Sequence, residues 1–204
     1  MSSIREATIK GFNEFVVGQQ NAPGKASLLL SQFDNEYQVG YDKPIAEVPK
    51  LDTVTYVPRG ATALFDAIGR TINEVGASLA AMSEADRPQK TIFVIITDGA
   101  ENASKEFTRN KIVEMVTHQR EKYQWEFVFL GANIDAFAYG QTLGIAANAS
   151  MQYAANAACM DSAFTSTGDA LKSFRSGQVK HVAYSQQERC AAMGKTPPVA
   201  PKRP

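Results

Sequence analysis

The chain of 204 residues has few of the residue types that mark several protein classes. Its two cysteines, Cys159 and Cys190, are too few for a disulfide scaffold and do not form a C-x-x-C pair. Its two histidines, His118 and His181, stand far from any serine or cysteine arranged as a nucleophile. No apolar run approaches the roughly 18 residues of a membrane span, and no signal-peptide segment follows Met1. These absences predict a cytoplasmic protein with no membrane partner.

Neither sign of charge is in excess. Lysine and arginine together number 21, as do aspartate and glutamate, which gives a formal net charge of +0. A chain without a net field is not drawn to nucleic acid by its overall charge. We therefore expect no nucleic-acid partner, and we expect binding to depend on a local site. The hydrophobic content of 44% is enough to bury one core.

The sequence does contain alternating helical and strand patterns. Apolar residues recur at helical spacing in some segments, and short continuous apolar runs separate these segments. In chain order the segments are SSIREATIKGFNEFVVGQQ (helix), KASLLLSQFD and EYQVGYDKPI (strands of a hairpin), TALFDAIGRTINEVGASLAAM (helix), TIFVIIT (strand), residues 106–122 (helix), WEFVFLGA (strand), IDAFAYGQTLG (helix), ASMQYAA (strand) and MDSAFTSTGDALKSFRSG (helix). This alternation predicts an α/β fold, with a Rossmann-like, doubly wound and mostly parallel sheet that has helices on both faces.

The predicted domain covers residues 1–177, because Gly177 follows the last helical pattern as a stop signal. The chain then changes character, and its end, GKTPPVAPKRP, is rich in proline and basic residues. Such a composition is typical of segments that do not pack. We therefore predict an extended or disordered tail over residues 178–204.

An aspartate stands at the end of the most apolar predicted strand. TIFVIIT runs directly into Thr97, Asp98 and Gly99. In open α/β sheets, ligands bind outside the carboxyl ends of the strands. A carboxylate at such a position is more often a ligand than a helix cap, so Asp98 is a candidate binding residue.

Two segments, PRGATALFDAIG and FVIITDGAEN, resemble the second and third motifs of von Willebrand factor A (vWA) domains of the bacterial and phage type. SSIREATIKGFNEFV is similar to the first helix of bacterial members and EFVFLGAN to their fifth strand, so the resemblance extends from Met1 to Gly177. The family binds a divalent cation on three loops: a D-x-S-x-S segment, a loop with a threonine, and a T-D-G loop. The resemblance implies that Thr62 and Asp98 are ligands of Mg²⁺ or Mn²⁺.

The D-x-S-x-S segment and the first strand that it ends are missing from this sequence. Thr62 and Asp98 alone offer one hydroxyl and one carboxylate, whereas Mg²⁺ takes six oxygens in a near-octahedral array. Ser2 and Ser3 stand near the place of the missing serine ligands, but Ser3 is better explained as the cap of the first helix. We therefore expect the metal site to be incomplete and cation binding to be weak or absent.

Three further carboxylates, Asp34, Asp66 and Glu101, lie near the same loops in sequence. Asp66 falls one turn into the helix after Thr62, where an acidic residue favours the helix N-terminus. Glu101 and Asn102 are expected to be solvated loop residues. None of the three carboxylates is predicted to be a ligand.

In the vWA family the missing strand is central, between the strands that correspond here to KASLLLSQFD and TIFVIIT. Its loss would leave two apolar strand edges, which are templates for other chains. The flanking strands could pair directly, a partner chain could donate a strand, or the chain could begin at an internal start codon. We favour the last, because Met1 stands where the D-x-S-G-S-M motif has its methionine. For a chain of this length we expect a dimer or a heterogeneous oligomer.

The resemblance implies a non-enzymatic binding module that engages an acidic group of a protein partner through the cation. One alternative is a metal-dependent hydrolase or phosphoryl-transfer enzyme on a doubly wound sheet. Another is an interaction scaffold that binds no metal. We favour the binding module, because the loops near Asp98 offer no histidine, cysteine or lysine in a matching position.

Overall fold

The computed structural model describes residues 4–197, and the fold is mixed α/β. The predicted cap Ser3 and its neighbour Ser2 lie outside the described residues. The elements are α1 (Arg5–Gln20), β1 (Ser27–Phe33), β2 (Tyr37–Pro44), α2 (Leu64–Ala81), β3 (Ile92–Thr97), α3 (Arg109–Tyr123), β4 (Glu126–Ala132), α4 (Ala136–Thr142), β5 (Ser150–Tyr153), α5 (Ala157–Arg175) and α6 (Gln186–Ala192).

The five strands form two separate sheets. β1 and β2 make an antiparallel hairpin, as predicted, with a bulge between Leu30 and Ser31. β3, β4 and β5 make a small parallel sheet in that order. Direct pairing of β1 with β3 does not occur, since over most of their length their Cα atoms are more than 8 Å apart. Paired strands lie about 4.8 Å apart. The alternative in which these two strands pair directly is therefore wrong.

Helices cover both faces of the parallel sheet. Because successive side chains of a strand point to opposite faces, Val128 and Leu130 of β4 join the core formed with α1 and α5. Phe127 and Phe129 point the other way and join the core formed with α2, α3 and α4. All β4 residues after Glu126 are buried. Among residues 4–197, no helix combines the length and the apolar character needed to cross a membrane.

The segment after α5 packs against the domain, so the prediction of an unpacked tail from residue 178 is wrong for the part that the structure describes. Tyr184 is buried, and its hydroxyl lies 2.9 Å from Thr167 Oγ1 of α5. Ser185 and Glu188 form a capping box that begins α6. This short helix closes one end of the core. The rest of the predicted tail, residues 198–204, lies outside the described residues.

Two glycines of α2 test how closely this helix packs. A Cβ atom added at Gly69 would lie 2.6 Å from Phe107 Cδ1, whereas one added at Gly76 would meet nothing within 4 Å. We expect Gly69→Ala to lower the free energy of unfolding by about 1–3 kcal/mol through overpacking. Gly76→Ala should raise it by about 0.5–1 kcal/mol, because alanine is the better helix former. Urea titration measures both values, and equal effects would contradict the close packing at Gly69.

Candidate functional site

The two predicted ligands lie at the carboxyl edge of the parallel sheet. β3 ends at Thr97, and Asp98 and Gly99 begin the loop that follows it. A Cβ atom on Gly99 would lie 3.5 Å from Thr62 Oγ1, so the loop of Thr62 touches the T-D-G loop. Thr62 and Asp98 are both half-buried. The structure thus brings the two loops together, and the role of these residues as metal ligands stays a prediction.

Asn102 joins these two loops. Its backbone N–H donates to the Thr62 carbonyl over 3.0 Å, and its side-chain Oδ1 accepts from the Thr62 N–H over 2.9 Å. Asn102 is exposed, as expected from the sequence, but it is not an unattached loop residue. These two hydrogen bonds hold the backbone on both sides of the Thr62 Cα atom.

Glu101 holds the same loop from inside, so the expectation that it is solvated is wrong. Its Oε1 accepts from the Ala103 and Ser104 N–H groups over 2.8 and 2.7 Å. Its Oε2 accepts from the Phe65 N–H over 2.9 Å and from the Ser104 hydroxyl over 2.7 Å. Burial alone would raise the pKa of Glu101, but together these donors bring the pKa below its ordinary value of 4.5.

Asp66 lies in the first turn of α2, as predicted, and is buried. Its carboxylate accepts three backbone N–H groups, from Lys105 over 2.8 Å and from Glu106 and Phe107 over 2.9 Å each. Burial acts to raise the pKa of Asp66, but the three donors outweigh it and hold the pKa below 3.8. The sequence-based account of Asp66 as a helix-end charge misses this contact, which fastens α2 to the segment before α3.

Asp34, which follows β1, also holds its loop by accepting hydrogen bonds. Its Oδ1 accepts from the Glu36 N–H over 2.6 Å, and its Oδ2 accepts from Arg59 Nε. Its carbonyl accepts from the Ala63 N–H over 2.6 Å, next to Thr62. The side chain of Asp34 is buried. Asp34 therefore holds the turn of the hairpin and the loop of Thr62 in place.

The oxygens near Thr62 and Asp98 do not form a complete set of magnesium ligands. Asp34, Asp66 and Glu101 already accept hydrogen bonds that hold the loops. In the chain from residue 4 to residue 197, no group of three or more His, Cys, Asp or Glu side chains is placed to hold a metal ion. One hydroxyl and one carboxylate would leave most of the six coordination positions of Mg²⁺ to water. The residues present do not fit a fully coordinated cation.

Comparison of the chain with family models, with curated proteins and with solved structures gave no match in any of the three. The resemblance to vWA domains therefore depends on the quoted motifs alone. The observed architecture establishes a mixed α/β fold with a three-stranded parallel sheet. Nothing in these comparisons assigns an activity.

We expect the carboxylates of Asp66 and Glu101 to make stability depend on pH. Since the pKa of Asp66 and of Glu101 is lowered in the folded state, their contribution is complete above 3.8 and 4.5 and is lost as the pH falls through the folded values. At pH 7, Asp66→Asn and Glu101→Gln should each lower the free energy of unfolding by about 1–3 kcal/mol. Urea titration between pH 7 and pH 3 should show the deficit shrinking.

The matched control is Glu84→Gln, which changes an exposed carboxylate in the turn after α2. We expect this substitution to change stability by less than about 0.5 kcal/mol. A deficit for Asp66→Asn or Glu101→Gln that stayed constant from pH 7 to pH 3 would show that these side chains stabilise the loops by shape and not by charge.

Proposed function

We propose that this chain is a non-enzymatic, protein-binding module of the vWA-like type, with a Rossmann-like, doubly wound organisation. Its contact surface is the carboxyl edge of the sheet, where the loop of Thr62 meets the T-D-G loop. The observation that carries this proposal is the 3.5 Å approach between Thr62 Oγ1 and the Cβ position of Gly99. In a vWA-like module these two loops present a hydroxyl and a carboxylate to one Mg²⁺ or Mn²⁺ ion.

The partner in this proposal is a protein with an exposed acidic group. A cation held by only Thr62 and Asp98 would keep most of its water. A carboxylate from the partner adds a charged oxygen, so binding of the cation and of the partner would support each other. Binding through an incomplete site is therefore weak for each component alone.

The hydrogen bonds of the neighbouring carboxylates support binding over catalysis. A general base works best with a pKa near the operating pH. The pKa values of Asp66 and Glu101 are lowered, away from neutral pH, and their oxygens already accept hydrogen bonds from backbone N–H groups. They hold the contact surface in shape, which is the contribution a binding module needs.

Our expectation for the chain as it stands is weak cation binding. Titration calorimetry with MnCl₂ should give a dissociation constant no tighter than about 1 mM, as for a site of two ligands. Asp98→Ala should remove the remaining heat, and Asp42→Ala, which alters an exposed carboxylate of β2, should not. Micromolar binding that Asp98→Ala abolishes would contradict the incomplete site and mean that other residues replace the missing motif.

The full site can be rebuilt to test the proposal directly. We expect a protein extended before Met1 by an apolar strand ending in D-x-S-G-S to gain all the missing ligands. Mn²⁺ at about a hundredfold its dissociation constant should then stabilise it by roughly 2.7 kcal/mol, measured as a rise in Tm. Thr62→Ala or Asp98→Ala should erase the rise, and Asp42→Ala should leave it. A folded, extended protein without this rise would rule out the metal site and leave a metal-free scaffold.

A further inference from the structure

The backbone on either side of Asp98 is held by side chains from the ends of three strands. The Tyr153 hydroxyl of β5 donates to the Thr97 carbonyl over 3.2 Å, and the Asn133 side-chain amide donates to the Asp98 carbonyl over 3.3 Å. The Thr97 hydroxyl donates to the Gly99 carbonyl over 2.8 Å and accepts from the Gly99 N–H over 3.3 Å. These bonds hold three consecutive residues, 97–99, in one conformation.

Asn133 differs from the other two side chains in its surroundings. Tyr153 and Thr97 are both buried, so the packing of the core fixes them whether or not they bond to the T-D-G loop. Asn133, directly after β4, is exposed. A polar side chain at the surface keeps its rotamer freedom unless a bond restrains it. The bond to the Asp98 carbonyl is therefore not a by-product of burial.

The backbone of Asn133 is also unusual. Its φ angle is +58°, in the left-handed region that is unfavourable for residues with a Cβ atom. Among residues 4–197, glycine occupies four of the positions with a left-handed φ, and the other two are Asn133 and Gln124. Glycine adopts this conformation without steric cost. An asparagine at this position therefore needs a reason beyond the shape of the turn.

The turn itself is required by packing. A Cβ atom added at Gly131 would lie 2.9 Å from Ile134 Cγ1, so the chain folds Ile134 back onto the end of β4, where it packs against the core of α2 and α3. Glycine at position 133 would meet that need. Asparagine adds an amide that reaches a carbonyl 35 residues away in the sequence. By contrast, the amide of Gln124 donates to the Glu121 carbonyl of its own helix end, over 3.2 Å.

We propose that Asn133 is a positioning residue of the contact surface, which holds the backbone of Asp98 in place beside the loop of Thr62. This inference rests on the proposed function, in which Asp98 and Thr62 meet a cation and the acidic group of a partner. It adds a residue from a third loop, the one after β4. A group that is already fixed loses less conformational freedom on binding, so Asn133 strengthens binding at Asp98 without contacting the ligand.

The effect of Asn133 on the loop can be separated from its effect on overall stability. Asn133→Gly removes one exposed hydrogen bond, which lowers stability, but it also relieves the left-handed backbone of a residue with a Cβ atom, which raises stability. These two effects oppose each other. We therefore expect the Tm of Asn133→Gly to stay within about 3 °C of the wild type.

Backbone ¹⁵N relaxation of the full chain tests the proposal. In the wild type, the order parameters of the Asp98 and Gly99 amides should lie near about 0.85, the value of rigid backbone, and in Asn133→Gly they should fall toward about 0.6. Asn133→Asp should cause the same fall. Aspartate tolerates the left-handed backbone as asparagine does, but its carboxylate has no N–H to donate.

The matched control is Gln124→Gly, which makes the same backbone change at the end of α3, where the side chain bonds within its own helix end. It should leave the order parameters of Asp98 and Gly99 unchanged. The proposal is overturned if both amides stay rigid in the two Asn133 variants. It is also overturned if Gln124→Gly loosens them as much as Asn133→Gly does.

Broadening of the Gly99 amide signal by MnCl₂ provides a second measurement, which suits a weak site. The slope of broadening against MnCl₂ concentration should fall by about tenfold in Asn133→Gly, as for residues that orient a metal ligand, and Gln124→Gly should keep the wild-type slope. An equal slope in wild type and Asn133→Gly would overturn the proposal. A wild type without any broadening would instead contradict the cation site of the proposed function, and the order parameters would still decide whether Asn133 positions Asp98.

Discussion

Backbone hydrogen bonds between adjacent strands hold each of the two sheets together, but none joins β1 to β3 in the described chain. The hairpin is attached to the parallel sheet by side chains and helices instead, as in the 3.2 Å contact between Ser31 Oγ and Thr71 Oγ1 of α2. A single hydrogen bond of this kind contributes only about 0.5–1.5 kcal/mol. The position of the hairpin therefore depends on the apolar packing of α1 and α2, which cover both sheets.

The same lack of pairing explains why the carboxyl edge needs so many internal hydrogen bonds. With no strand between β1 and β3, the loops after these strands cannot be positioned by a continuous ladder. Asp34, Asp66 and Glu101 fix them by accepting backbone N–H groups, which are costly to leave unpaired when buried. As a consequence, the oxygens of these three carboxylates are used by hydrogen bonds that hold the loops.

Local pattern was sufficient to predict the helices and strands before residue 178, because spacing of apolar residues is a property of neighbours in sequence. It was sufficient for the hairpin too, since β1 and β2 are separated by a short turn. It failed for Asp66 and Glu101, whose partners include backbone groups 36 to 41 residues away. No local signal shows which distant N–H groups a carboxylate will meet.

α6 was missed for a different reason. The proline-rich composition of the chain end predicts an unpacked tail from residue 178, although Ser185 and Glu188 have the spacing of a capping box. That spacing, with the apolar Tyr184 just before it, is the sequence signal that indicates the start of α6. The relation of β1 to β3 had no such signal in composition or periodicity. The resemblance leaves open whether these two strands pair directly, and the structure shows that they do not.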